Sequence, residues 1–299
     1  MSNNRKISVP SILMLLAASM IWGSSFVVVK DSLDYATPAW QLFYRLAVAS
    51  LGGILLFTTQ IRLVRVKYIR QGVVLGILFA AALIFQNYGA NLSSASKCAF
   101  LTVSYVAFTP LLEAVFLRRK LTAAKIVTVT VCMAGIGLIT INETLSFESG
   151  DTFLLLTGLF YAAHLLWIDR CDESDGVIII HITQIWTACL LSLAAALLLE
   201  PFCFCTNSSF VLGVTYCGIF EVLIGFLLQF KGQQRTNPQL AGILLSSECV
   251  FAGLFGVIFQ HDSFRVKMGA GCFLIFVSAI LESFNFERKM QHGNQKDVH

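Results

Sequence analysis

The stretch "FLTVSYVAFTPLLEAVFLRRK", Phe100 to Lys120, decides the fold. Most of it is apolar enough to lie in hydrocarbon. Yet it carries Thr102, Ser104, Tyr105, Thr109, Pro110 and the carboxylate Glu113, and it stops at three consecutive cations, Arg118, Arg119 and Lys120. Thr102, Tyr105, Thr109 and Glu113 follow steps of three and four residues, so on a helix they form one stripe. A proline in a helix leaves the carbonyl four residues earlier without its donor. Here that carbonyl is at Val106, which then needs a side chain or water. Such a segment suits a membrane helix with one wet face, halted by positive charge at the lipid boundary.

The rest of the chain agrees. Of 299 residues, 57% are hydrophobic and 13% charged, and the mean hydropathy is +0.76. Soluble domains carry roughly 25% charged residues, so this chain has too few charges to cover a water-facing surface. The net charge of +4 is too small to suggest a nucleic-acid partner. The expected solvent is a lipid bilayer.

A membrane helix needs about 20 mainly apolar residues. Ten candidates meet this: Ile12–Val29, Ala39–Thr58, Gly72–Ala90, Cys98–Leu117, Ala123–Ile141, Thr152–Ile168, Val177–Leu199, Phe210–Phe230, Leu240–Gln260 and Val266–Phe284. Together they take up roughly 200 residues, leaving short loops and tails. A transmembrane barrel would show alternating segments of about ten residues, and these runs are longer and do not alternate.

With a cytoplasmic N-terminus, 16 of the 21 Lys and Arg residues fall on the inner side, four fall outside and Arg45 lies within a span. This asymmetry is the positive-inside pattern. It predicts a multi-pass protein of the cell membrane with both termini cytoplasmic. A rival reading of the first span is a cleaved signal peptide, from Arg5, Lys6 and the small residues Ala17, Ala18 and Ser19. The apolar run continues through "MIWGSSFVVVK", Met20 to Lys30, which a signal peptide does not need.

The chain divides near "INETLSFESGD", Ile141 to Asp151, giving halves 1–145 and 146–299 with five spans each. An odd number per half turns the second half upside down. Inverted repeats of this kind recur in secondary transporters. The expected fold is therefore an all-α polytopic membrane protein, with ten transmembrane helices as two inverted five-helix repeats.

Several stretches also resemble one family. They are "IWGSSFVVVKDSL", "PAWQLFYRLAVA", "ASKCAFLTVSYVAFTPLLEAVFLRRK", "MAGIGLI" and "LLQFKGQQRTNPQLAGILLSSECVFAGLFG". In order and spacing they are similar to the EamA group of the drug/metabolite transporter superfamily. The group often has a Glu just after the fourth and ninth spans, where this chain has Arg118-Arg119 and His261-Asp262; a common proline of the ninth span is Cys249 here. The resemblance implies alternating access and transport of small metabolites, often export of amino acids or related compounds, across a bacterial plasma membrane.

Polar groups within a membrane are costly and face a cavity or a partner helix. The candidates for substrate contact are Trp22, Ser25, Arg45, Tyr105, Thr109, Tyr161 and His164. Trp22 stands mid-span instead of at the interface, where aromatic anchors belong. Arg45 either grips a substrate carboxylate or pairs, as structure, with an acid or with helix-end carbonyls. Tyr161 and His164 share a face with Thr157. Glu221 and Glu248 are deep acids, and desolvation favours the neutral carboxyl, so either is a candidate proton carrier. Core hydrogen bonding is the bland alternative for each. Gly72, Gly76 and Ala80 form a small-residue packing face.

The nine cysteines show no metal-ligand spacing, and no nucleotide or hydrolase motif occurs. No metal or cofactor is expected. The expected partners are a small-molecule substrate, lipid and protons as a coupling ion, with the protein a monomer or homodimer. The competing function is a membrane-embedded enzyme acting on a lipid-linked substrate, which would need a clustered His/Asp motif near an interface.

Overall fold

The computed structural model describes residues 8–59, 64–93, 95–140, 148–171, 176–259 and 266–296. The expectations drawn from Arg5, Lys6, Arg62, His261 and Asp262 lie outside them. Among the described residues the chain forms thirteen α-helices and a π-helical stretch. Six helices match single spans of the first three positions and the fifth to seventh: α1 (Val9–Ser32), α2 (Pro38–Leu56), α3 (Val66–Leu92), α6 (Ala123–Thr140), α7 (Ser149–Ile168) and α8 (Val177–Leu199). The tenth span is α13 (Val266–Lys296).

The other three spans are interrupted. The fourth is α4 (Ala95–Thr102) and α5 (Tyr105–Leu117), and the ninth is α11 (Pro238–Leu245) and α12 (Glu248–Phe259). The eighth is α9 (Ser208–Tyr216), the π-helical Cys217–Gly225 and α10 (Phe226–Gln233). Each two-residue break, Val103–Ser104 and Ser246–Ser247, falls at the same place in its half. Tyr105 and Glu248 thus occupy equivalent positions, each the first residue beyond its break.

The packing repeats between halves. The third span lies on the sixth and seventh, through α3 against α7 and α8, and the eighth span lies on the first and second. The fourth packs on the sixth as the ninth packs on the first. The second and seventh spans meet directly, and so do the fifth and tenth. This is the arrangement of two inverted five-helix repeats.

Local chemistry explains the helix ends. Asn237 caps α11 by accepting the Leu240 N–H at 2.6 Å, with Pro38 and Pro238 opening α2 and α11. The start of α2 is capped from a distance: the Glu200 carboxylate receives the Ala39 N–H at 3.1 Å and the Tyr88 hydroxyl at 2.6 Å. Gly72 and Gly76 bring α3 onto α8. A methyl at Gly72 or Gly76 would stand 2.5 Å from the Cβ of Thr183 or Thr187.

The surface is apolar and the interior holds the polar groups. Leu55, Val115, Phe116, Leu198 and Phe273 are exposed, whereas Arg45, Asn87, His164, Gln184 and Glu248 are buried. That inversion of a soluble protein fits a lipid surround.

The opening stretch reads differently in part. Pro110 sits inside α5 without ending it, and the Val106 carbonyl it frees accepts the Gln239 side chain of the opposite half at 3.4 Å. Glu113 does not line the cavity between the two halves described below. It is buried against Lys125 and receives Arg119 Nη1 at 2.8 Å, so part of the cationic cluster neutralises this acid. Arg118, at φ 52°, takes the left-handed turn that closes α5.

Candidate transport cavity

A cavity lies between the two halves. Its floor is aromatic. Trp22 of α1 meets Phe226 with ring centroids 4.6 Å apart, and Tyr161 of α7 lies 6.3 Å from Phe226 and 6.2 Å from Tyr105. The Tyr105 hydroxyl donates to Glu248 Oε1 at 3.3 Å, so the two equivalent helix breaks touch across the pseudo-two-fold axis. Ser25, Gln86, Thr102 and Gln229 add polar groups to the wall.

Close packing sets these side chains in place. Gly23, beside Trp22, leaves room for the ninth span: a Cβ there would lie 2.7 Å from Phe251 Cβ and 2.8 Å from the Glu248 carbonyl. Gly158 does the same for the fourth span, since a Cβ there would run into Ser104 Oγ. Each glycine thus lets a helix of one half approach the break in the other.

The lining runs from this floor toward the end of the bundle where α1 and α3 finish, at Val29, Lys30 and Ala90. Toward the opposite end, Leu15, Val106, Leu240, Ala241 and Leu244 pack a buried apolar plug. Gln233 reinforces it by donating from α10 to the Leu165 carbonyl of α7 at 2.5 Å.

Arg45 stands behind the cavity wall. It is fully buried, and its Nη1 reaches both oxygens of Glu221, at 3.0 and 3.1 Å. Its Nη2 donates to Asn87 at 3.4 Å, and Asn87 continues to Gln41 and Gln41 to Ser32, each at 2.7 Å. Glu221 also lines the cavity, and its backbone carbonyl receives Trp22 Nε1 at 3.2 Å. The structural alternative for Arg45, pairing with an acid, is the one the geometry displays.

The structure therefore brings Trp22, Ser25, Tyr105, Tyr161, Glu221 and Glu248 to one cavity. It separates three other candidates from it. Thr109 turns back to the Tyr105 carbonyl at 2.7 Å, His164 bonds Gln184 at 2.9 Å, and Arg45 is engaged as above. Each spends its polar group on a neighbouring helix or its own backbone, as buried groups in hydrocarbon must. Sequence reasoning missed Lys30 and Gln229 as wall residues. Lys30 lies one residue past the expected end of the first span and Gln229 one residue before that of the eighth, where polarity reads as departure from the membrane.

The model of the EamA-like transporter family matches this chain twice, over residues 9–141 and 148–284. A relative from Archaeoglobus fulgidus, described as an uncharacterized transporter, is 26% identical over 280 residues, covering 90% of this chain and 84% of its own length. A solved crystal structure shares the fold at TM-score 0.75 and 17% identity, covering 93% of this chain and 98% of the other. With both halves matched in turn, the chain belongs to the EamA-like transporter family.

Proposed function

We propose that this membrane transporter is a secondary transporter that exports small metabolites, amino acids or related compounds, by alternating access. The observation that carries the reading is the cavity at the repeat interface, framed by the paired breaks before Tyr105 and Glu248. Interrupted helices at corresponding positions of two inverted halves mark the substrate site in transporters of this plan. The cavity closed beneath by the apolar plug and lined toward one end fits one of two access states. Export is supported by the family resemblance.

Substrate counterflow in proteoliposomes, run with a panel of radiolabelled amino acids, tests the reading. Exchange of at least one member is expected, and no exchange of any would overturn it.

Glu248 is our candidate coupling group, since it is buried at the junction of the two halves with only a tyrosine hydroxyl as its hydrogen-bond partner among the described residues. A carboxyl that meets one side and then the other carries a proton with the cycle. Glu248→Gln is expected to abolish accumulation driven by a pH gradient while keeping part of the counterflow. Undiminished accumulation by this variant would remove Glu248 from that role.

We also propose cytoplasmic termini. Cys203 and Cys205, between the seventh and eighth spans, are partly exposed and free, and this orientation puts them outside. A membrane-impermeant maleimide is expected to label both in intact cells, with the signal lost in C203S/C205S. Labelling only after permeabilisation would reverse the orientation.

A further inference from the structure

The cavity wall carries a cation that forms no ion pair among the described residues. Lys30, in the last turn of α1, lines the cavity, and its Nζ donates to the Ala90 carbonyl at 2.7 Å and the Ser93 carbonyl at 3.5 Å. Both acceptors belong to the C-terminal end of α3 and are neutral. They orient the ammonium without cancelling its charge.

The acids around it are accounted for. Glu221 is held by Arg45. Asp31, the next residue in α1, turns to a separate crevice with Ser24 and Tyr216. Asp151 receives Ser93 Oγ and the Glu148 N–H at the start of α7, and no ion pair joins it to Lys30. Glu248 remains, and it is deeper. Its backbone touches α1 at Gly23, seven residues before Lys30, which is two turns or about 10 Å along the helix. The cavity is thus bipolar, with an ammonium toward its rim and a carboxyl beside the aromatic rings of its floor.

We propose that Lys30 binds the carboxylate of the transported molecule, whose remainder is directed toward the aromatic floor. This deepens the amino-acid reading above and rests on it. An ammonium already fixed by two carbonyls loses little freedom when it takes a third partner, and a charged hydrogen bond is stronger than a neutral one. Lys30 then selects for carboxylates, and the aromatic floor accepts the rest of the molecule.

The experiment compares matched pairs in counterflow: each amino acid that the wild type exchanges, and its carboxamide. Lys30→Gln keeps an amide donor for the Ala90 carbonyl but removes the charge, and Lys30→Arg keeps the charge. For Lys30→Gln the half-saturating concentration of the amino acid is expected to rise by about tenfold or more, with that of the carboxamide unchanged. Lys30→Arg is expected to recover part of the loss. An equal loss for both members, or an unchanged acid-to-amide ratio, would make Lys30 only a cap for α3 and overturn the proposal. A wild-type protein that exchanges the carboxamides as readily as the acids would overturn it while leaving the transporter reading intact. A wild type that exchanges neither would overturn both.

Discussion

Arg45→Met is expected to destabilise the folded protein by about 3–5 kcal/mol, because it strands the Glu221 carboxylate in the interior. The pair is well shielded: the side chains are 0% and 9% exposed. Two guanidinium contacts of 3.0 and 3.1 Å repay desolvation only while both partners remain. The double variant Arg45→Met, Glu221→Leu removes both charges and is expected to recover most of the loss, since apolar replacements of buried pairs are commonly neutral or better. Thermal unfolding of purified protein, followed by fluorescence-detected size exclusion, compares the wild type with both variants. A double variant no more stable than Arg45→Met would show that the pair acts through packing and not charge.

The second large effect is expected at Gly23. Alanine there places a methyl 2.8 Å from the Glu248 carbonyl and 2.9 Å from the Ala252 nitrogen, both backbone atoms of the ninth span that cannot rotate away. α1 and α12 must part, at a cost of about 1–3 kcal/mol. Counterflow is expected to slow by roughly tenfold, the rate equivalent of about 1.4 kcal/mol. Gly158→Ala is expected to be milder. Its first obstacle is the Ser104 hydroxyl, a side-chain atom that can turn, with the Tyr105 nitrogen next at 3.1 Å. Equal rates for Gly23→Ala and wild type would mean that the close approach of α1 and α12 plays no part in transport.

Much of the fold was legible in the chain. The seventh span was expected at Val177–Leu199 and forms there, because Gly176 and Glu200 bound a continuous apolar run. The third was expected at Gly72–Ala90 but extends over Val66–Leu92, since a helix can run on past the point where hydropathy falls. The breaks were not legible. Val103–Ser104 and Ser246–Ser247 contain neither proline nor glycine, and nothing in their local propensity interrupts a helix. Pro110, the local signal for a break, is absorbed because Gln239 arrives from the other half. Tertiary partners thus decide both outcomes.

The site follows the same division. Trp22, Tyr105, Tyr161 and Glu248 could be singled out because aromatic and polar groups in mid-span need a reason to be there. Which groups meet could not be read. Arg45 and Glu221 are 176 positions apart, and spacing within each helix says nothing of contact between them. His164 and Thr109 carry the same signal as true wall residues, and only the neighbours that take up their hydrogen bonds tell them apart.

The likeness of the halves stops at their charges. Arg45 stands seven residues into α2, and seven residues into α8 stands Gln184, a neutral residue bonded to His164. A chain with strict two-fold symmetry would have two end states of equal free energy, and an empty carrier would divide its time evenly between them. An ion pair that joins the halves through Arg45 and Glu221, with neutral Gln184 at the place matching Arg45, is expected to lift that degeneracy, and each 1.4 kcal/mol of difference shifts the occupancy about tenfold. With alternating access as proposed, the unloaded protein is expected to have a resting side, set by its own side chains before any gradient acts on it.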